Sequence, residues 1–131
     1  LAFKDKPITL PFQDPDNYSS FHLYIIRIKN NVEGLTRLDL FKKLREAGIL
    51  VNIHYIPIYQ HPFYQKTGYD SNNFKESEKY YEEAISLPIH TLLSVEEQDY
   101  VIENVLNFLS RQKTYFKNSK ITENKGFQNI F

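Results

Sequence analysis

Cysteine is absent from the 131 residues. The chain therefore has no disulfide framework, no thiolate nucleophile and no zinc site built on sulfur, a pattern that fits a cytoplasmic protein. Methionine is absent too, and the chain begins Leu1-Ala2-Phe3. A primary translation product starts with Met, so the sequence is expected to be part of something longer, either a processed product or a cut piece. An excess of charge is missing: 16 basic and 16 acidic residues leave a formal net charge of zero. That balance argues against a nucleic-acid partner, which calls for a basic excess. Long apolar runs are missing as well, so neither a transmembrane helix nor a signal peptide is read, and no membrane partner. The four glycines stand far apart, which excludes a Gly-rich phosphate loop. No GxSxG elbow and no zinc-protease helix motif occurs. No pair of carboxylates sits in an apolar strand context suited to acid–base work; the Glu residues cluster on expected exposed helix faces.

What is present is ordinary globular material. The hydrophobic fraction is 41% and the charged fraction 24%, near the averages of soluble domains. One domain is the natural reading at this length, and roughly two-thirds of the unfolded surface can be buried by such a chain. Residues 1–18 hold Pro7, Pro11 and Pro15 and form an irregular entry segment. Residues 20–28 are β-branched and aromatic, with both faces apolar, and predict a strand covered on both sides. A loop at Asn30, Asn31 and Gly34 follows. Thr36 with Asp39 predicts a helix start, Leu40, Phe41, Leu44 and Ala47 supply its apolar stripe, and Gly48 stops it.

Residues 49–55 return to strand character. Ile49, Val51, Ile53 and Tyr55 share one face, and Leu50, Asn52 and His54 the other. Residues 56–73 predict a long loop with unusual aromatic content: Tyr59, Phe63, Tyr64 and Tyr69. Asn73 is expected to cap a helix of about a dozen residues striped by Phe74, Tyr81, Ala84 and Ile85. Residues 85–89 form a short extended piece that Pro88 confines to an edge or a strand end. Ser94 and Glu97 form a capping box that opens a helix to about Arg111, with Val101, Ile102, Val105, Leu106, Phe108 and Leu109 inward. The order predicts an α/β fold, an α+β two-layer domain, over residues 1–111. Residues 112–131 carry four Lys and one Glu without a sustained period and are expected to be a flexible tail.

Four histidines are the remaining chemistry: His22, His54, His61 and His90. Their spacing matches no metal-ligand pattern, so no metal is assigned. His22 reads as a core or interface residue, and His61 and His90 as loop residues. His54-Tyr55 differs, because the pair stands at the carboxyl end of a strand before a proline-stiffened loop, where ligands of α/β proteins gather. Imidazole beside phenol suits a phosphate, a sugar hydroxyl or a planar ring. On chemistry alone a second reading stays open, in which His54 bonds backbone and Tyr55 packs in the core. An RNA-binding sheet is set aside, because only Arg27 and Lys29 interleave with the strand and the RNP pattern is absent.

The string HYIPIYQHPFYQ at residues 54–65 resembles the C-terminal small domain of sugar-nucleotide aminotransferases, the DegT/DnrJ/EryC1/StrS family. SSFHLYIIRI at 19–28, LFKKLREAGILVNIHY at 40–55 and YYEEAISLPIHTLLSVEEQDYVIENVLNFL at 80–109 resemble further segments of that domain, in order. Pro57-Ile58-Tyr59 and Phe63-Tyr64-Gln65 resemble the branch serving pseudaminic acid synthesis. The resemblance implies a fold-type-I enzyme of roughly three times this length, dependent on pyridoxal phosphate (PLP). Its large domain would carry the Schiff-base lysine, so no lysine here is given that role and no catalytic residue is assigned. The small domain would close over a UDP-sugar, with His54, Tyr55, Ile56 and Pro57 in contact and Tyr59 behind them, where many relatives have His. The full enzyme would move an amino group from glutamate to a 4-keto sugar, as a homodimer. An alternative is a non-catalytic nucleotide-sugar-binding or protein-interaction module.

Overall fold

The structure, a computed structural model, describes residues 2–29, 36–68 and 71–123, with side chains described as far as Ser110. The loop expected at Asn30, Asn31 and Gly34, the aromatic Tyr69 and residues 124–131 lie outside the described residues. Three strands form one antiparallel sheet in the order β1 (Ile8–Thr9), β2 (Tyr24–Ile28) and β3 (Ala84–Leu87). Among the described residues four α-helices accompany it: α1 (Arg37–Glu46), α2 (Pro62–Gln65), α3 (Lys75–Glu83) and α4 (Val95–Glu123). This is the α/β small-domain architecture that the sequence predicts.

The helix ends follow from their caps. The Asp39 amide donates to Thr36 Oγ1 at 3.1 Å and starts α1. Gly48 leaves it at φ +78°, a region that suits a residue without Cβ. At the head of α4 the Glu97 amide donates to Ser94 Oγ at 3.1 Å and the Ser94 amide to Glu97 Oε2 at 2.9 Å, a reciprocal capping box. The Tyr100 hydroxyl donates to the Ala47 carbonyl at 3.0 Å and ties α4 to the end of α1.

The register sorts the sheet into two unlike faces. Tyr24 lies opposite Leu87, and Ile26 opposite Ile85. With Ile28, Leu40, Leu44, Val51, Val105 and Leu109 they make the apolar core under α1 and α4. On the other face Ile25 lies opposite Ser86 and Arg27 opposite Ala84. That face is polar. Arg27 pairs with Glu83 at 2.7 Å and stands 5.6 Å over the Tyr80 ring.

Several elements differ from the sequence reading. Residues 49–55 form only one bridge, Asn52 to Ser86, closed by two backbone bonds of 3.2 and 2.8 Å. Continuing this register would place Leu50 opposite Pro88 and His54 opposite Ala84. Proline has no N–H to give, and the Ala84 N–H already serves the Tyr80 carbonyl at the end of α3. The ladder therefore stops at both ends after one pair. The alternation holds for burial only at its start, with Ile49 and Val51 buried and Leu50 74% exposed; Tyr55, expected on the face of Val51, is 73% exposed. Asn73 does not cap a helix; Ser71–Phe74 is a 3-10 turn, and α3 begins at Lys75 with no side-chain cap. Phe74 stacks on Tyr59 there, so tertiary packing sets the start. Ala84 and Ile85 belong to β3 rather than to a helical stripe. The long loop holds a 3-10 turn at Ile58–Gln60 and the short α2. β2 begins only at Tyr24, and His22 is exposed rather than in the core. β1 was not readable from two residues. α4 continues to Glu123, twelve residues past the expected end.

Candidate functional site

The site is built where the bridge at Asn52 ends. Period-two alternation puts His54 on the same face as Asn52 and Ser86. His54 Nδ1 meets Ser86 Oγ at 2.7 Å. Ser86 is buried in the middle of β3, while His54 is half-buried at the rim. Tyr55 crosses the imidazole edge-to-face with centroids 4.6 Å apart, and the peptide bond joining them is cis. Tyr55 is 73% exposed and Ile56 49% exposed. Pro57 is buried and opens the turn to Gln60 through its carbonyl, which accepts the Gln60 amide at 2.9 Å.

Beyond that turn the chain is fastened to α3. Tyr59 stacks on Phe74 with centroids 4.5 Å apart and rings 14° from parallel. The Tyr59 hydroxyl is sealed from solvent and makes no hydrogen bond of good geometry. Burial pushes its pKa up; the Ser77 hydroxyl beside it pulls down, and Glu78 pushes up. Gln60 Nε2 donates to both Glu78 carboxylate oxygens at 2.9 and 2.8 Å. Ile58, Tyr59, Tyr64 and Phe74 line an apolar cleft of about 210 Å³.

The five expected contacts thus divide. His54, Tyr55 and Ile56 stand together at the open rim. Pro57 is buried, and Tyr59 turns its hydroxyl toward Ser77 and Glu78 of α3. Ser86, Gln60 and Glu78 were not singled out from sequence. Ser86 is the least hidden of them, because a serine in the apolar run of residues 84–89 calls for a partner. A larger groove of about 490 Å³, lined by Phe3, Phe21, Leu87, Ile89 and Val101 among others, includes none of the five.

Each lysine whose side chain is described, from Lys4 to Lys79, is exposed, whereas an amine activated for Schiff-base chemistry is desolvated. No described helix is long and apolar enough to cross a membrane.

The profile of the DegT/DnrJ/EryC1/StrS aminotransferase family matches residues 2–106. The chain belongs to that family. The spore coat polysaccharide biosynthesis protein SpsC of Bacillus subtilis is 35% identical over 107 residues, covering 79% of this chain and 28% of that protein. The UDP-4-amino-4,6-dideoxy-N-acetyl-β-L-altrosamine transaminase of Helicobacter pylori is 35% identical over 105 residues, again 79% of this chain and 28% of that protein. Among solved structures, the PLP form of Spr1654 from Streptococcus pneumoniae, described as a sugar aminotransferase, superposes with a TM-score of 0.72 at 33% identity. It covers 86% of this chain and 28% of that one. The chain therefore spans a little over a quarter of the length of these DegT-family relatives.

Proposed function

We propose that this chain is the C-terminal small domain of a PLP-dependent aminotransferase that moves an amino group from glutamate to a 4-keto UDP-sugar. In this reading the enzyme serves a bacterial surface sugar of the pseudaminic acid type, acts in the cytoplasm and works as a homodimer. The observation that carries the proposal is the segment 54–60. It offers an imidazole and a phenol at an open rim and is braced from behind by β3 and α3. Family membership and the altrosamine transaminase relative support the sugar class.

In this proposal the cofactor and its lysine belong to the large domain that makes up the rest of such an enzyme. PLP would supply the electron sink for the transfer. The work of this chain is positioning. His54 and Tyr55 hold polar groups of the nucleotide-sugar, and Ile56 and Ile58, both exposed, cover its apolar edges. Holding a ligand in one pose removes rotational freedom that would otherwise be lost at the reaction step.

Incubation of the chain with PLP, reduction with borohydride and peptide mass spectrometry test the division of labour. Diffuse, substoichiometric labelling of exposed lysines is expected. Stoichiometric labelling of a single lysine would put the cofactor site in this chain and overturn the proposal.

A further inference from the structure

Ser86 is one of two polar residues in the buried set, at 5% exposure. It lies at the centre of β3, where an apolar side chain would pack more simply. Its hydroxyl carries one proton, and a buried donor requires an acceptor. Among the described residues the partner of that hydroxyl is His54 Nδ1, at 2.7 Å. Both backbone groups of Ser86 are already engaged with Asn52. With the hydroxyl as donor, Nδ1 accepts through its lone pair. In the neutral imidazole the ring proton then sits on Nε2. Nε2 has no hydrogen-bond partner among the described residues, and Tyr55 meets the ring edge-to-face.

We infer that Ser86 is a positioning residue: it locks His54 in the Nε2–H tautomer, so that the site presents a hydrogen-bond donor to an oxygen acceptor of the ligand, a phosphate or carbonyl oxygen. This rests on the reading of His54 as a ligand contact, and it deepens that reading by fixing the polarity of the contact. A ligand that offers only a donor at that point meets an unpaired N–H and is disfavoured.

The ¹⁵N-labelled full chain tests this without any cofactor. A two-bond proton–nitrogen correlation spectrum of the imidazoles at about pH 8.5, where ordinary histidines are neutral, reports the tautomer, and His54→Gln assigns the signal. The wild type is expected to show an unprotonated Nδ1 and a protonated Nε2 for His54. Ser86→Ala should mix the two tautomers while its melt stays cooperative, and Ser86→Thr, which restores the hydroxyl, should restore the single tautomer. A protonated Nδ1 in the wild type, or a tautomer unmoved in Ser86→Ala, would overturn the inference. Titration with uridine diphosphate then reads the contact: the His54 Nε2 signal should move, and Ser86→Ala should weaken binding roughly two- to tenfold. The lone-tautomer spectrum with a His54 signal indifferent to uridine diphosphate would leave Ser86 as the anchor of His54 and overturn the polarity assigned to the ligand contact.

Discussion

Gln60 reaches from the turn after Pro57 to Glu78 on α3, and its amide nitrogen donates to both carboxylate oxygens, at 2.9 and 2.8 Å. With the Tyr59–Phe74 stack beside it, this contact decides the path of the aromatic loop. A hydrogen bond to a charged group is stronger than a neutral one, but part of its strength is screened at a half-exposed position. Gln60→Ala is expected to cost about 1 kcal/mol. Urea denaturation reads that loss, and hydrogen exchange at residues 58–65 should accelerate more than exchange in β2. Uniform acceleration across the chain would show that the loop is not the part being held.

His54 and Tyr55 should separate in their effect on stability. His54→Ala removes the partner of a buried hydroxyl, and leaving Ser86 unpaired is expected to cost about 1–2 kcal/mol. Tyr55→Ala, at a residue 73% exposed, should stay within about 0.5 kcal/mol. Thermal melts of the two variants check this; equal losses would place both side chains in the same structural role.

Two phenols should ionise late. The pKa of Tyr59 is raised by burial. That of Tyr80 is raised by burial too, against a lowering pull from Arg27. A group whose folded pKa lies above its unfolded value lends stability that is complete below the unfolded value, near 10 for tyrosine, and is lost as pH rises through the folded one. Stability should therefore fall above about pH 10. Tyrosinate absorbance in the native chain should lag the curve measured in urea. Arg27→Gln removes the cation and should delay Tyr80 further; an earlier ionisation would contradict the assignment.

The helical extension past Arg111 should matter little to the core. Among the residues of α4 whose side chains are described, Val101, Val105, Phe108 and Leu109 are buried. Truncation after Gln112 is expected to change stability by less than about 0.5 kcal/mol while lowering the far-ultraviolet helix signal. We propose that residues 113–123 do not dock on the body, and fast amide exchange along that stretch would agree. A loss of several kcal/mol on truncation would show that they dock.

The elements legible in the sequence are those whose signals are local. Thr36 with Asp39, Gly48, and Ser94 with Glu97 name their own helix ends, because each cap closes within one turn. The alternation of Ile49, Leu50 and Val51 reported burial correctly, yet it could not report ladder length. That length depends on Pro88 and on the Ala84 N–H, some 35 residues away, and the second of these is claimed by α3. Asn73 carries a good cap signal, but the Tyr59–Phe74 stack moved the helix start. β1 is two residues long and exists because β2 has an open edge. At the site, His54 and Tyr55 could be read from their place at the end of an extended segment. The serine that holds His54 lies 32 residues further on, and only the register of Asn52 against Ser86 brings the two together.

The central claim is tested most directly by grafting. Residues 2–106 would replace the corresponding segment of the Helicobacter pylori altrosamine transaminase, and turnover of its 4-keto UDP-sugar with glutamate would be measured. The account predicts an active chimera in which His54→Ala lowers kcat/KM per folded molecule roughly 5- to 150-fold, the cost of leaving a ligand group unpaired. A chimera that folds, binds PLP and turns over sugar at the same rate with and without His54 would contradict it.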